Sequence, residues 1–275
     1  MAGLLLAAAA AGALQAADPA AGPPGPPPPA APGATGTTAI PAGYHLIYEQ
    51  TFETPGALSQ FVFTDPKAWR LGRTGPDTQV SHALELARQS DYQPAHRSPF
   101  NIALLDHHVL QDFILEADLI QTGEEYGHRD MCLFFGFQSP TNFYYVHLAT
   151  AADDHAHNVF IVDGAPRTKI ARQTTAGVSW GLGVWHKVRL ERRGKEGTLL
   201  VFFDDLTKPI MRADNTKFTN GHVGFGSFDD TGMIDNIRIW APSSRSAKLK
   251  PFVSGVAAPV AQPPKAAPRT APPIR

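Results

Sequence analysis

The feature that most constrains this chain is a series of short alternating apolar segments between residues 44 and 241, recurring at roughly ten-residue spacing. Twelve segments read as strands: 46–52, 83–87, 102–105, 113–120, 131–137, 143–149, 158–163, 169–172, 185–192, 198–203, 222–228 and 233–240. No stretch of about eleven residues carries apolar positions at helical spacing. Asp163-Gly164, Arg193-Gly194 and Asn220-Gly221 supply tight reversals between the segments. Many evenly spaced strands without helices predict an all-β fold, a two-sheet antiparallel jelly-roll sandwich.

Period-two alternation assigns the faces. Phe113, Leu115, Ala117 and Leu119 share one face, with Asp112, Glu116 and Asp118 on the other. His186, Val188 and Leu190 face inward, leaving Lys187, Arg189 and Glu191 for water. In 143–149 the buried set is Tyr144, Val146 and Leu148, and Phe143, Tyr145 and His147 point outward. A sheet face carrying carboxylates and flat rings suits sugars, which offer hydroxyl groups and apolar C–H faces.

The two ends differ from this core. Residues 4–14 (LLLAAAAAGAL) followed by Ala16-Ala17 read as a signal peptide over 1–17, although no basic residue precedes the run. The run is too short to span a bilayer. Residues 18–43 hold nine prolines and read as an extended Pro/Ala-rich linker; 242–275 hold eight and read as a disordered basic tail. The expected organisation is a signal peptide, a linker, one sandwich domain over 44–241, and a tail. The expected location is periplasmic or extracellular.

Charge follows the same division. The tail holds six basic residues and no acid, which suits solvation or contact with an anionic cell envelope. The core holds 18 basic and 24 acidic residues, a net charge of −6, so nucleic acid is not an expected ligand. Cys132 is the only cysteine, which rules out an intramolecular disulfide, and its apolar neighbours mark it as a small buried hydrophobe.

Three polar constellations are candidates for chemistry. His147 with Asp153, Asp154, His155 and His157 offers imidazoles and carboxylates for a divalent metal or acid–base work, or is simply a polar inter-strand loop. Asp229, Asp230 and Asp235, with Asn236, offer hard oxygen ligands for Ca2+ or another divalent cation, or serve as turn carboxylates. Glu116 and Asp118 are a glycan-contacting or catalytic pair, or a solvated strand face. Glu124, Glu125 and His128-Arg129-Asp130 fall in the following loop, where they would line the same groove. Arg167 and Lys169, after the 163–164 turn, are candidates for binding hydroxyls or a carboxylate, or are exposed hairpin charges. No Gly-x-Ser-x-Gly elbow, His-Glu-x-x-His pair or P-loop occurs.

Several stretches carry a resemblance: Asn142 to His147, Asp153 to Asn158, Ala165 to Ile170, Trp185 to Arg192, and Gly224 to Ile237 with its GFGSFDDTG run. Together they resemble concanavalin A-like domains, and more narrowly bacterial exported laminin G-like and 3-keto-disaccharide hydrolase-like groups. The resemblance implies a jelly roll suited to glycans or glycosides, and calcium is common in that fold. It spans lectins and hydrolases, so it leaves the activity open. Laminarinase-like members carry Glu-x-Asp-x-x-Glu on one strand; here Glu116 and Asp118 fill the first two places and Gln121 the last. The keto-disaccharide group carries an Asn-Ser-Gly strand where this chain has His128 to Cys132. The expected function is an exported carbohydrate-binding or surface-interaction domain, with Tyr145, His147, Glu116, Asp118 and Arg167 as contacts. The alternatives are a hydrolase or lyase acting on a glycoside, using His147 or Glu116, and an envelope protein that binds through its tail.

Overall fold

The computed structural model describes residues 39–76 and 78–253. The signal-like segment, the linker up to residue 38 and the tail beyond 253 lie outside the described residues. Among the described residues sixteen strands, numbered along the chain, form two antiparallel sheets. The larger sheet, of nine strands, runs β11 (Ala171–Thr174), β14 (Met211–Asp214), β13 (Thr198–Phe203), β12 (His186–Arg193), β6 (Phe113–Gln121), β16 (Gly232–Ala241), β4 (Ser81–Leu86), β3 (Trp69–Thr74), with β1 (His45–Gln50) also paired to β16. The seven-stranded sheet runs β10 (Thr168–Lys169), β9 (Asn158–Asp163), β8 (Asn142–Ala149), β7 (Asp130–Ser139), β15 (His222–Ser227), β5 (Asn101–Leu105), β2 (Phe61–Phe63).

This is the expected jelly-roll sandwich. Leu115, Ala117 and Leu119 of β6 and Val188 and Leu190 of β12 meet Leu133 and Phe135 of β7, Tyr144, Val146 and Leu148 of β8 and Phe225 of β15 in one continuous core. Burying these alternate positions supplies the main driving force for closing the two sheets.

Strands β2, β3 and β14 carry no clear alternation and escape the sequence reading, and the segment at 169–172 divides into β10 and β11. The GFGS run and the following DNI run, adjacent in sequence, belong to different sheets. β15 closes the seven-stranded sheet's centre and β16 the nine-stranded sheet's centre, with Phe228 to Thr231 crossing between them. The loop from β6 to β7 crosses at the same end, tied by Thr122 N donating to the Thr231 carbonyl at 3.0 Å. The glycines of the run have a steric reason: a Cβ on Gly226 would lie 1.8 Å from the Asn101 carbonyl oxygen of β5.

The tail departs from expectation. Residues 242–253 pack on the protein instead of extending freely. Val109 and Arg245 exchange backbone hydrogen bonds at 2.9 and 3.0 Å, and Leu249 N donates to Asp106 Oδ1 at 2.7 Å. Phe252 makes edge contacts with Tyr92 and Phe137, over the outer face of the seven-stranded sheet.

Candidate functional site

The outward positions of the two sheets have different fates. On the seven-stranded sheet, Phe143, Tyr145, Phe134, Phe137 and Phe160 form a second buried cluster, with Leu249 and Phe252 against it. Tyr145 is 0% exposed and His147 3% exposed. Arg167 donates to the Tyr145 hydroxyl at 2.7 Å and lies over the rings of Phe160 and Phe228, and Phe228 stacks on His147. The face read as an exposed aromatic platform is therefore covered. Tyr145, His147 and Arg167 are committed to each other's surroundings, and His147 has no surface from which to reach a substrate.

The nine-stranded sheet keeps a polar outer face. Cross-strand register sets Glu116 of β6 between Arg189 of β12 and Arg238 of β16, and Asp118 between Lys187 and Asp235. Arg189 Nη1 donates to Glu116 Oε1 at 2.7 Å and its Nε to Glu191 Oε1 at 2.7 Å. Lys187 Nζ donates to Asp118 Oδ1 at 2.6 Å, and Asn236 Nδ2 to Asp118 Oδ2 at 2.8 Å. Arg238 donates to Glu49 at 2.8 Å. The centre of this row is buried: Arg189 is 1% exposed, against an expected solvent-facing position. Its Nη2 is buried without a hydrogen-bond partner, which is costly for a guanidinium. Lys187, Arg238 and Glu49 form the exposed margin. At one end of the face, half-buried Trp185 packs against Ala83, Ile120 and Met233.

Asp235 lies in this row. Burial pushes its carboxyl up to about 7, with the Asp118 charge adding to the shift and the Asn236 N–H opposing it. The bend that admits Asn236 at φ 50 coincides with the register shift between Asp235 and Arg238. Strand β6 has no such irregularity against β12. Regular alternation therefore turns Gln121 away from Glu116 and Asp118, and it is held by Arg129 Nε and Nη2.

Glu116 and His147, both proposed for catalysis, lie on the outer faces of opposite sheets, with the core between them. The loop residues of the first metal candidate do not converge. Asp153 accepts from the backbone of His155 and Ala156 and pairs with His128 at 2.5 Å. Asp154 pairs with Lys169 at 2.5 Å, so Lys169 serves that pair. His157 is fully buried, accepts from Ala149 N and bonds Thr175 Oγ1, and burial lowers its ring to about 4. Of the second candidate, Asp229 and Asp230 come together, whereas Asp235 faces outward from the other sheet beside Asp118.

Asp230 and Asp229 are joined by Asp130, which opens β7 on the other sheet and does not line the Glu116 groove. Asp130 is fully buried and accepts from Phe228 N at 2.9 Å and from the Cys132 thiol at 3.1 Å. Burial alone would raise its carboxyl, but His147 and these donors hold it below the usual carboxylate range. Asp230 accepts from Tyr126 at 2.8 Å and from Asp130 N at 2.9 Å, and burial beside Asp130 raises it to about 8. A surface depression of 520 Å³, lined in part by Tyr48, Asp106 and His108, shares only Glu49 with the polar face.

No family model matches the chain, and no curated protein matches it. Solved structures of similar shape exist. A carbohydrate-binding module from Bacillus subtilis is 14% identical, covering 66% of this chain and 96% of its own, with a TM-score of 0.46. A galectin-like protein of unknown function from the same organism is 11% identical over 75% of this chain and 100% of its own, at 0.47. A winged bean acidic lectin is 11% identical over 74% of this chain and 100% of its own, at 0.45.

Proposed function

We propose that the chain is an exported carbohydrate-binding domain whose ligand face is the outer surface of the nine-stranded sheet. The observation that carries this reading is the interleaved row Lys187–Asp118–Asp235 and Arg189–Glu116–Arg238, whose exposed margin is Lys187, Arg238 and Glu49. Fixed carboxylates accept from sugar hydroxyls, and fixed ammonium and guanidinium groups donate to them. Trp185, at the end of the row, offers a ring for an apolar sugar face. Pre-paired charges hold their geometry before a ligand arrives, which lowers the ordering cost of binding. Export is supported by the apolar run at 4–14, and a periplasmic or extracellular site is where free glycans are met.

A glycoside-acting hydrolase is the second reading, favoured by one observation. Asp235 holds its proton to about 7 within the same row as Glu116 and Asp118, as a general acid working near neutrality must.

The full chain is screened on a glycan array, and its best ligand is then titrated against wild type, Lys187→Met and Asp118→Asn. Binding that weakens at least tenfold in both variants, with unchanged circular dichroism, supports the face. Equal binding by both variants, or no binding to any glycan, removes it. Product analysis with oligosaccharides and 3-keto-disaccharides separates the readings: turnover abolished in Asp235→Asn makes the protein an enzyme.

A further inference from the structure

We infer that Asp130, Cys132 and His147 form a zinc-type metal site beneath the outer face of the seven-stranded sheet. This site is separate from the proposed glycan face and from the loop carboxylates and histidines at 153–157. Asp130 and Cys132 are alternate residues of β7, so both point to the same side. Cys132 pairs in register with His147 on β8. One ligand atom from each of the three lies within 4.8 Å of the other two, and all three residues are buried.

The separations match a small tetrahedral ion. Asp130 Oδ2 is 3.2 Å from His147 Nε2 and 3.1 Å from Cys132 Sγ. Around a zinc ion with bonds of about 2.0 Å to O and N and about 2.3 Å to S, neighbouring ligand atoms sit roughly 3.3–3.5 Å apart. The two separations from Asp130 lie within a few tenths of an ångström of these values, and Cys132 and His147 lie within 4.8 Å of each other.

His147 supplies the independent observation. Its Nδ1 faces the His155 carbonyl at 3.2 Å, and a carbonyl only accepts, so Nδ1 carries the hydrogen. Its Nε2 is buried and makes no hydrogen bond of acceptable geometry, although it is aimed at the Asp130 carboxylate. With Nδ1 held by that carbonyl, Nε2 is the nitrogen left to face the Asp130 carboxylate and to take a metal. This is the arrangement of a metal-binding histidine whose second nitrogen is fixed by a carbonyl.

The donor set selects the metal class. Thiolate with imidazole and one carboxylate suits zinc and disfavours calcium or magnesium, which want six or more oxygens. On binding, the Cys132 S–H bond breaks, sulfur keeps the electron pair and bonds the metal, and the proton leaves to solvent. A dication with one thiolate, one carboxylate and a neutral imidazole is then electrically balanced in a buried setting. Asp229, exposed and grouped with Asp130 and Asp230, marks the side from which an ion enters. Without a metal, burial and the neighbouring Asp130 push the Cys132 thiol up, against which the Arg167 guanidinium over Phe160 and Phe228 acts weakly, so it is the dication that would hold the thiolate.

The test uses the full chain, reduced, stripped by chelator and titrated with Co2+. Cobalt gives visible and thiolate charge-transfer absorption that reports its ligands without any activity. The expected result is one Co2+ per chain with a thiolate band, displaced by Zn2+. The band is expected to vanish in Cys132→Ser and to persist in His155→Ala, which belongs to the other histidine cluster. His147→Asn retains a donor for the His155 carbonyl and removes Nε2. It is expected to weaken Co2+ binding by more than the roughly 10–100-fold that outer-shell changes cost. A folded wild-type chain with no thiolate band at tenfold excess Co2+ overturns the inference, as does a band unchanged in Cys132→Ser. If Cys132→Ser fails to fold, the wild-type band and the His147→Asn titration decide. Glycan binding is measured on the same samples and bears on the other face alone.

Discussion

Asp118 and Asp235 sit opposite one another across the β6–β16 ladder, two carboxyl groups in adjacent register positions of one sheet face. Lys187 and Asn236 donate to Asp118, whereas Asp235 accepts from the Asn236 backbone N–H at 2.7 Å. Burial, with Asp118 alongside, is what raises Asp235 to about 7.

That shift gives stability a definite pH dependence. Between the usual value of 3.8 and about 7, the folded state holds a proton on Asp235 that the unfolded chain lacks. Stability from this group is therefore full at low pH and falls as pH rises through the window, by at most about 1.4 kcal/mol per pH unit. His157, lowered from 6.5 to about 4, contributes with the opposite sign over part of the same range. The comparison of Asp235→Asn with wild type separates the two. The variant is expected to gain stability relative to wild type from pH 4 to 7 and to hold that gain above it, measured by urea unfolding at each pH. A pH-independent difference would remove the assignment.

Arg189 is 1% exposed and bridges Glu116 and Glu191, each at 2.7 Å. Arg189→Met leaves two carboxylates without their shared partner and is expected to cost about 3–5 kcal/mol. Replacing all three with apolar residues is expected to recover much of that loss, since the desolvated charges go together. Thermal melts of the single and triple variants check both statements; a single variant within 1 kcal/mol of wild type, roughly a surface effect, contradicts the bridge.

Gly226 lies where β15 passes closest to β5. An added Cβ would stand 1.8 Å from the Asn101 carbonyl oxygen, a backbone atom that cannot swing aside. Asn101 also holds Ser90 N and the Ser227 hydroxyl through its side chain. Gly226→Ala is expected to destabilise by about 3 kcal/mol or more, at the upper end of overpacking costs, while Gly164→Ala, which meets no atom but sits at φ 65, is expected to cost about 1–2 kcal/mol from its left-handed backbone. Denaturant midpoints of the two variants give the comparison.

Phe252 contacts Tyr92 and Phe137 from beyond the last strand. Because it is only half-buried, Phe252→Ala is expected to cost about 1–2 kcal/mol, less than the 3–5 typical of a fully buried Phe. Truncation after residue 241 is expected to cost more and to expose the cluster around Phe137, raising binding of a hydrophobic dye. A truncated chain with an unchanged melting temperature would show that the tail contributes nothing.

The sequence by itself determined the class of fold, because alternation of apolar residues with a period of two admits one buried face per strand and repeats too often for anything but sheets. It located β6, β8, β9, β12 and β13 nearly to the residue, since each carries at least two apolar residues in alternate positions on one face. It lost β2, β3 and β14, which are short or interrupted by Gly72 and carry little pattern of their own. What the sequence could not decide was which outward face stays open. Tyr145 and His147 alternate as cleanly as Glu116 and Asp118, yet one pair is covered by Arg167, Phe228 and the tail while the other lies in the polar row. The covering groups are 20 to 107 residues away along the chain, so local periodicity carries no trace of them. The meeting of Asp130 and Cys132 with His147 was half legible: β7 alternation places the first two together, but the pairing of Cys132 with His147 depends on strand register. Only the folded sheet sets that register, because one residue of slip would exchange the two faces and expel the core.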